Sequence, residues 1–183
     1  TKQRFRVEQG GDPTQKTGEG QFFGIPNDLG PMALVYNTEV FGEAGLPTDP
    51  EDVQDEIQTW DQFISAGETV NQETEADMMS FEYGSRQSGV AHTLCTQAGG
   101  LYYNEDGEFA FDQEANIKAM EQLVDLTEVN RRETWNSDSY INGLKNNEIA
   151  TIVAPFWYKF VMRGLRTTRG TLQEMEGVWR VVP

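Results

Sequence analysis

The sequence predicts an α/β fold, because short apolar strands alternate with amphipathic helices along the chain. Met32-Ala33-Leu34-Val35-Tyr36-Asn37 is a continuous apolar run of the length of a buried strand, and residues 149–154 form a second run of small and β-branched side chains. Between them, residues 59–72 and 112–126 carry apolar side chains at helical spacing. We therefore expect a buried sheet with helices packed against it.

Turn and stop signals divide the first half of the chain. Residues 1–20 are polar and rich in glycine, which is typical of a loose lead-in, and a short strand at 21–26 closes at Pro26. After the strand at 32–37, we expect a short helix from Thr38 to Ala44 that ends at Gly45, then a loop at 47–50. Thr59-Trp60-Asp61-Gln62 has the spacing of a capping box and opens a helix that ends at the acidic residues 73–77. Its inward side chains are Trp60, Phe63 and Ile64.

The second half begins with a candidate strand at 78–83 and a helix at 88–98. An Asp-Gly turn between aromatic residues 102–103 and 109–111 then predicts a hairpin. A calcium loop does not fit here, since Tyr102 and Gln113 occupy its first and last ligand positions. Asp112 is expected to cap the next helix, and Asn136-Ser137-Asp138 is expected to begin a shorter helix that runs through Tyr140 and Leu144. The predicted core face of the helix after Asp112 is Ala115, Ile117, Met120, Leu123 and Val124.

The segment Ala154-Pro155-Phe156-Trp157-Tyr158-Lys159-Phe160 follows the strand at 149–154. Proline is favoured at the first position of a helix, so the pattern predicts a strand, a sharp turn and a helix whose exposed start carries Trp157. Ligands of open α/β sheets bind at the carboxyl ends of strands. An indole there suits a flat ligand with polar edges, such as a sugar ring. The alternative is that all three aromatic side chains belong to the core.

Composition limits the partners of the chain. Its 183 residues fit one domain or slightly more, and its formal net charge is −16. Such a charge repels nucleic acid and anionic lipid, so neither is an expected partner. An acidic chain with few lysines also suits a high-salt environment, where screening relieves self-repulsion.

Cysteine and histidine are too scarce for most metal or nucleophilic sites. Cys95 is the single cysteine and His92 the single histidine, so we expect no internal disulfide, no metal site and no cofactor. No stretch approaches about 20 apolar residues, so no membrane span is expected. Thr1 is not a natural start, so we expect a mature or excised piece of a longer protein.

Several short motifs keep a common order along residues 22–183. They are Phe23-Gly24-Ile25-Pro26, Leu34-Val35-Tyr36-Asn37-Thr38-Glu39-Val40-Phe41, Gly45-Leu46-Pro47, Thr59-Trp60-Asp61-Gln62-Phe63, Gly99-Gly100, Asn104-Glu105-Asp106-Gly107, Glu148-Ile149-Ala150 and Val181-Val182-Pro183. In this order the chain resembles the family 1 extracellular solute-binding proteins of ABC importers, in particular the sugar-binding members of the maltose-binding-protein type.

The resemblance implies a periplasmic-binding-protein-like (type II) fold, with two α/β lobes and a ligand cleft between them. Residues 1–24 would be a lead-in and the end of a first-lobe segment, and residues 25–183 an incomplete second lobe. The resemblance also implies a monomer that delivers a sugar or oligosaccharide to ABC permease subunits. Its location would be extracellular or periplasmic, with lipoprotein anchoring in the full-length protein.

Carried over by position, the resemblance implies a set of ligand-binding residues. Trp157 falls where sugar-binding members place a stacking aromatic, and Asn27 and Asp28 lie in the segment that crosses between lobes. Three further residues fall on a loop and helix start that supply hydrogen bonds to sugar hydroxyls: Arg86, Gln87 and Ser88. Acidic and aromatic side chains common on that loop are replaced here by Gln87 and Gly89, so the identity of the ligand stays open.

Three functions from different classes are compatible with the sequence. The first is a carbohydrate-binding component of an importer, without catalysis. The second is the same scaffold for another polar solute, with Arg86 available for an anionic group. The third is a glycosidase-type enzyme, which would need two carboxylates facing each other about 5–10 Å apart.

Overall fold

A computed structural model describes residues 6–7, 21–22, 31–81, 89–100, 102–103, 107–158, 162 and 177–182. The strands in this part of the chain are β1 (Arg6–Val7), β2 (Gln21–Phe22), β3 (Met32–Asn37), β4 (Met79–Ser80), β5 (Asn130–Arg131), β6 (Thr151–Pro155) and β7 (Trp179–Val181). The helices are α1 (Thr38–Glu43), α2 (Pro50–Glu56), α3 (Trp60–Glu73), α4 (Gly89–Gln97), α5 (Glu114–Asp125) and α6 (Asp138–Lys145), and a 3-10 turn (Leu126–Val129) follows α5. None of these helices combines the length and apolar character that crossing a bilayer requires.

Strand β3 is the middle of a three-stranded sheet in the order β6-β3-β7. Both neighbours run antiparallel to it, with Val35 opposite Ile152 on one side and Val181 on the other. The buried strands predicted at 32–37 and 149–154 are thus confirmed. Because β3 and β6 are antiparallel, the carboxyl end of β6 lies beside the amino end of β3, with Pro155 opposite Met32. The carboxyl ends of β3 and β6 therefore lie at opposite ends of this strand pair.

The two faces of this sheet contact different apolar clusters. Alternate side chains of a strand point to opposite faces. Leu34 and Tyr36 accordingly join the larger cluster, with Phe63 of α3 and Leu94 of α4, whereas Val35 joins the smaller one. The smaller cluster is covered by α6 through Tyr140, Ile141 and Leu144. The sheet therefore separates two packing layers.

Side-chain caps fix the starts of α1, α3 and α6. Asn37 caps α1, with its Oδ1 accepting from the backbone N–H groups of Glu39 and Val40. The capping box predicted for α3 is present in both directions between Thr59 and Gln62. Ser137 caps α6, accepting from the N–H of Tyr140, within the Asn136-Ser137-Asp138 segment where a helix was predicted to begin. These starts could be read from the sequence because a cap needs only local residues.

Helix α2 was missed by the sequence analysis, which assigned a loop to residues 47–50 and no helix after it. Asp49 accepts from the N–H of Glu51 and Pro50 occupies the first turn, so the start signals are ordinary. Val53 is the one buried side chain of this helix. A single buried residue gives no apolar periodicity, which explains the omission.

Helix α5 differs from the prediction in both its cap and its buried face. Its N-cap is Gln113, without a side-chain hydrogen bond, rather than Asp112. Ile117 and Val124 are 49% and 65% exposed, whereas the polar Asn116 is buried. Asn116 Nδ2 donates to the carbonyl of Ala110 at 3.2 Å, so the helix turns this amide, and not Ile117, toward the segment before it.

The predicted hairpin is present in the described part of residues 102–111. Tyr103 and Phe109 form an antiparallel bridge, and Ala110 N donates to Tyr102 O at 2.9 Å. Gly107 has a φ of +78°, which glycine adopts without strain. This confirms the strand pairing predicted on either side of the Asp-Gly pair, of which Asp106 lies outside the described residues.

Candidate functional site

The turn that follows β6 brings two large aromatic side chains to one end of the sheet. Pro155 is the last residue of β6, so it ends the strand instead of starting a helix as predicted. Phe156 N then donates to Pro31 O at 3.0 Å, which ties the turn to the residue that precedes β3. The turn is therefore held in place by the sheet itself.

Phe156 and Trp157 differ in how much of their side-chain surface is exposed to solvent. Phe156 is 53% exposed. Trp157 is half-buried against the smaller cluster and meets the Tyr158 ring edge-on, with ring centroids 6.0 Å apart at 74°. Trp157, which was predicted to be exposed, is thus half-buried, and Phe156 shows more surface. The turn geometry decides which ring faces outward, and that geometry cannot be derived from the residue types alone.

The buried side chain of Tyr158 holds the turn in place. It is 1% exposed, and its hydroxyl donates to Asn136 Oδ1 at 2.8 Å. Its ring lies 4.6 Å from that of Trp135, centroid to centroid. Burial raises the pKa of the Tyr158 hydroxyl far above its usual range, so it remains a neutral donor at every physiological pH. The backbone beneath Trp157 is therefore fixed by packing and by one hydrogen bond.

The start of α4 lies at the same end of the sheet. A Cβ on Gly89 would come within 3.0 Å of Met32 Cε, at the beginning of β3. The first N–H groups of a helix have no partner within it and are available to a ligand or a cap. Five of the predicted site residues precede β3 or α4 in the sequence and lie outside the described residues: Asn27, Asp28, Arg86, Gln87 and Ser88.

A cleft of about 640 Å³ lies where Leu34 and Val153 pack on the larger cluster, and we call it the α3 cleft. It lies between the first residues of β3, the start of α3, and helices α4 and α5. Its lining residues are Met32, Ala33, Leu34, Ile57, Gln58, Thr59, Trp60, Asp61, Phe63, Thr93, Gln97, Gln122 and Val153. The sequence analysis did not find this cleft, because its walls come from five separated segments.

Arg131 and its acidic partners form a charged cluster outside the turn after β6 and outside the α3 cleft. Arg131 binds Glu148 at 2.7 Å and Glu133 at 3.2 Å, at the edge where β4 and β5 pair. Burial raises the pKa of the neighbouring Asp77, although Arg131 opposes that effect. In the described ranges, no group of three or more His, Cys, Asp or Glu side chains is arranged to hold a metal ion.

The fold is that of the periplasmic sugar-binding proteins of type II. The chain superposes on a crystal structure of an extracellular solute-binding protein of family 1 with a TM-score of 0.67 and 24% identity, covering 89% of this chain and 40% of that one. A binding protein of an ABC transporter from B. animalis subsp. lactis Bl-04, in complex with β-1,6-galactobiose, gives the same TM-score at 22% identity, covering 89% and 38%.

The chain belongs to the bacterial extracellular solute-binding proteins, whose family model matches residues 7–163. This confirms the resemblance found in the sequence. A lactose-binding protein of Rhizobium radiobacter is 32% identical over 143 residues, which is 77% of this chain and 32% of that protein. An arabinooligosaccharide-binding protein of Halalkalibacterium halodurans is 25% identical over 146 residues, or 76% and 31%. The chain spans about a third of the length of these curated relatives.

Proposed function

We propose that this chain is part of the substrate-binding component of an ABC importer, which binds a carbohydrate in a cleft between two lobes and delivers it to the permease. Residues 25–183 would form most of the second lobe, and residues 1–24 the end of a first-lobe segment. The observation that carries the proposal is the family match over residues 7–163. The lactose- and arabinooligosaccharide-binding relatives support a neutral sugar as the ligand.

The turn after β6 is the proposed contact with the sugar ring. A sugar has a weakly apolar ring face and polar edges, so it pairs with an exposed aromatic side chain and several hydrogen-bonding groups. Phe156 and Trp157 supply the aromatic surface, and a turn anchored by Tyr158 holds them without a large loss of entropy on binding. Asn27, Asp28, Arg86, Gln87 and Ser88 remain the proposed hydrogen-bonding residues.

The net charge of the chain favours a neutral ligand. A formal charge of −16 disfavours a strongly anionic solute, although Arg86 could bind one locally. Glycoside hydrolysis needs two carboxylates that face each other. The family and its lactose- and arabinooligosaccharide-binding relatives are binding proteins, which supports binding without catalysis.

The proposed role carries a location and a partner. The family is one of extracellular binding proteins. We place the full-length protein outside the cytoplasmic membrane as a monomer, held there by a lipid anchor, where it meets the permease subunits of its importer. High ionic strength would screen the self-repulsion of its acidic surface.

A fluorescence titration tests the proposal, with the protein extended to both lobes and tryptophan emission recorded against lactose, galactobiose and arabinooligosaccharides. We expect a saturable change in wild type. Phe156→Ala and Trp157→Ala should each weaken binding by about 1–3 kcal/mol, the range of an aromatic in an interface.

The two variants also separate a binding role from a packing role. Phe156→Ala should leave the melting temperature almost unchanged, because more than half of that side chain is exposed. Trp157→Ala should lower the melting temperature as well, since its ring packs on the smaller cluster. A folded protein that responds to none of the sugars would contradict a carbohydrate receptor and favour a non-sugar polar solute.

A further inference from the structure

Met32 lies where the sheet, the turn after β6 and helix α4 meet. It is the first residue of β3, and its partner across the ladder is Pro155, the last residue of β6. The next rung of the same ladder is the bond from Phe156 N to Pro31 O at 3.0 Å. Met32 therefore adjoins the turn whose Phe156 ring is exposed.

The thioether of Met32 fills space that a glycine leaves open at the start of α4. Gly89 is the first residue of that helix, and a Cβ built on it would lie 3.0 Å from Met32 Cε. Carbon atoms in ordinary contact are about 3.5–4.0 Å apart. Any side chain at position 89 would therefore displace the terminal methyl group of Met32. Glycine at this position is the reason that the methyl group can lie against α4.

The side of the thioether that faces away from α4 is open. Met32 is half-buried and lines the α3 cleft, so part of its side chain borders open space at this end of the sheet. Leu34 and Tyr36 lie on the same face of β3 and belong to the larger cluster, whereas Met32, in the part of the chain that the structure describes, belongs to neither cluster. Its apolar surface is therefore available to a ligand.

A thioether offers a sugar a different contact from that of a polar side chain. It carries no charge and accepts hydrogen bonds only weakly, whereas it is polarisable and its unbranched chain adapts to irregular shapes. It suits the C–H face of a sugar ring and would leave a charged group without a partner. Together with the exposed ring of Phe156, Met32 gives this end of the sheet two adjoining apolar surfaces.

We propose that Met32 is a further ligand-binding residue of the site at the turn after β6, where its thioether packs on the C–H face of a sugar ring. Gly89 is a positioning residue that acts through Met32, because its missing side chain allows the methyl group to take this place. The inference rests on the proposed function, since it adds a contact to the same site. It names the chemistry of that contact as apolar and uncharged.

Methyl NMR of the full-length protein tests the contact directly. The methionine methyl groups are labelled with ¹³C, and the signal that is lost in Met32→Leu is that of Met32. The probes are lactose, β-1,6-galactobiose and arabinooligosaccharides. We expect the Met32 signal to shift saturably with at least one of them, with the same dissociation constant as the change in tryptophan emission. Without any sugar, Gly89→Ala should already shift this signal, because the new Cβ displaces the methyl group.

A double-mutant cycle shows whether Gly89 acts through Met32. Met32→Ala and Met32→Gln should each lower the affinity for the sugar about three- to tenfold, because an apolar contact is lost. Met32→Leu keeps an apolar side chain and should stay within about twofold of wild type. Gly89→Ala should lower the affinity about two- to fivefold in wild type and should have no effect in Met32→Ala, where no methyl group is left to displace.

The melting temperature separates this effect from a loss of stability. Gly89→Ala should leave it unchanged or raise it, because alanine favours a helix more than glycine does and the displaced atom is the end of a flexible side chain. The matched control is Gly42→Ala in α1, at the opposite end of β3, where the nearest atom would lie 3.5 Å from the new Cβ. This control should change neither the Met32 signal nor the affinity.

Three results would overturn the proposal. The first is a Met32 signal that no sugar shifts although the tryptophan emission responds. The second is a loss of affinity in Gly89→Ala that persists in Met32→Ala, which would mean that residue 89 meets the sugar itself. The third is full or higher affinity in Met32→Gln, which would exclude an apolar contact. If neither the tryptophan emission nor the Met32 signal responds to any sugar, the proposed function itself fails, and the inference fails with it.

Discussion

Asn37 joins strand β3, helix α1 and the segment before β6 through one fully buried side chain. Its Oδ1 accepts from Glu39 N at 2.9 Å and from Val40 N at 3.2 Å, while its Nδ2 donates to Asn147 Oδ1 at 2.8 Å. We predict that Asn37→Ala lowers the free energy of unfolding by about 2–3 kcal/mol. About 1 kcal/mol comes from the lost N-cap, and a similar amount from the lost buried hydrogen bond, with the remainder from the unpaired Asn147 oxygen.

The assay is urea unfolding followed by circular dichroism, with thermal melting as a second measure. For a chain of this length, each kcal/mol shifts the melting temperature by about 2–4 °C, so we expect a decrease of about 4–12 °C. Asn37→Ser keeps a capping oxygen and removes the donor to Asn147, so it should recover about half of the loss.

Ser137→Ala is the matched control, because Ser137 caps α6 through one bond to Tyr140 N at 3.1 Å. It should cost about 1 kcal/mol. If Asn37→Ala costs no more than Ser137→Ala, the link to Asn147 contributes nothing to stability and the reasoning is refuted.

Three other predictions concern single positions. Gly67→Ala should destabilise the chain by about 1–3 kcal/mol in the same urea assay, because the new Cβ would lie 2.8 Å from side-chain atoms of Met78, which precedes β4, and of Val129 in the 3-10 turn. The control Gly42→Ala, whose nearest atom would lie at 3.5 Å, should be neutral or stabilising. Gly107→Val should lower the melting temperature of the chain without changing sugar affinity, since a φ of +78° strains a β-branched residue; unchanged melting would argue against the hairpin turn. Burial raises the pKa of Asp77 in the folded chain above its value in the unfolded chain, so the folded chain binds this proton more tightly. The protonated side chain therefore stabilises the fold at acid pH, and this contribution is lost as the pH rises through the folded-state pKa. Asp77→Asn should therefore raise the melting temperature at neutral pH and not below pH of about 4, while the exposed control Glu75→Gln should change it at neither.

Much of the fold could be predicted from local signals. Residues 32–36 are apolar without interruption, so the sequence analysis predicted a buried strand over 32–37, and the structure has that strand at Met32–Asn37. The capping residues Thr59 and Ser137 identified two helix starts, because capping depends on side chains within one turn. Strand direction could not be predicted, since the partners of β3 lie far along the chain and no local pattern indicates how they pair.

The position of the candidate site along the chain could be predicted, whereas the exposure of its individual side chains could not. The aromatic segment after residue 154 indicated the right turn, yet the choice between Phe156 and Trp157 depends on the direction in which that turn leaves the sheet. The α3 cleft could not be predicted at all. Trp60 and Gln97 stand 37 residues apart, and no local pattern indicates that their side chains meet. The same holds for Asn116, whose buried amide turns α5 away from its apolar periodicity.

The central position of β3 has a consequence for the order in which the chain folds. Asn37 and Asn147 are 110 residues apart in sequence, and Thr38, which donates to Val178 O, is 140 residues from that partner. Contacts of such long sequence separation form late, because a large loop must close before they contribute. During synthesis, β3 therefore emerges long before either neighbouring strand exists. Until then its apolar residues are an unpaired edge open to chaperones and to aggregation.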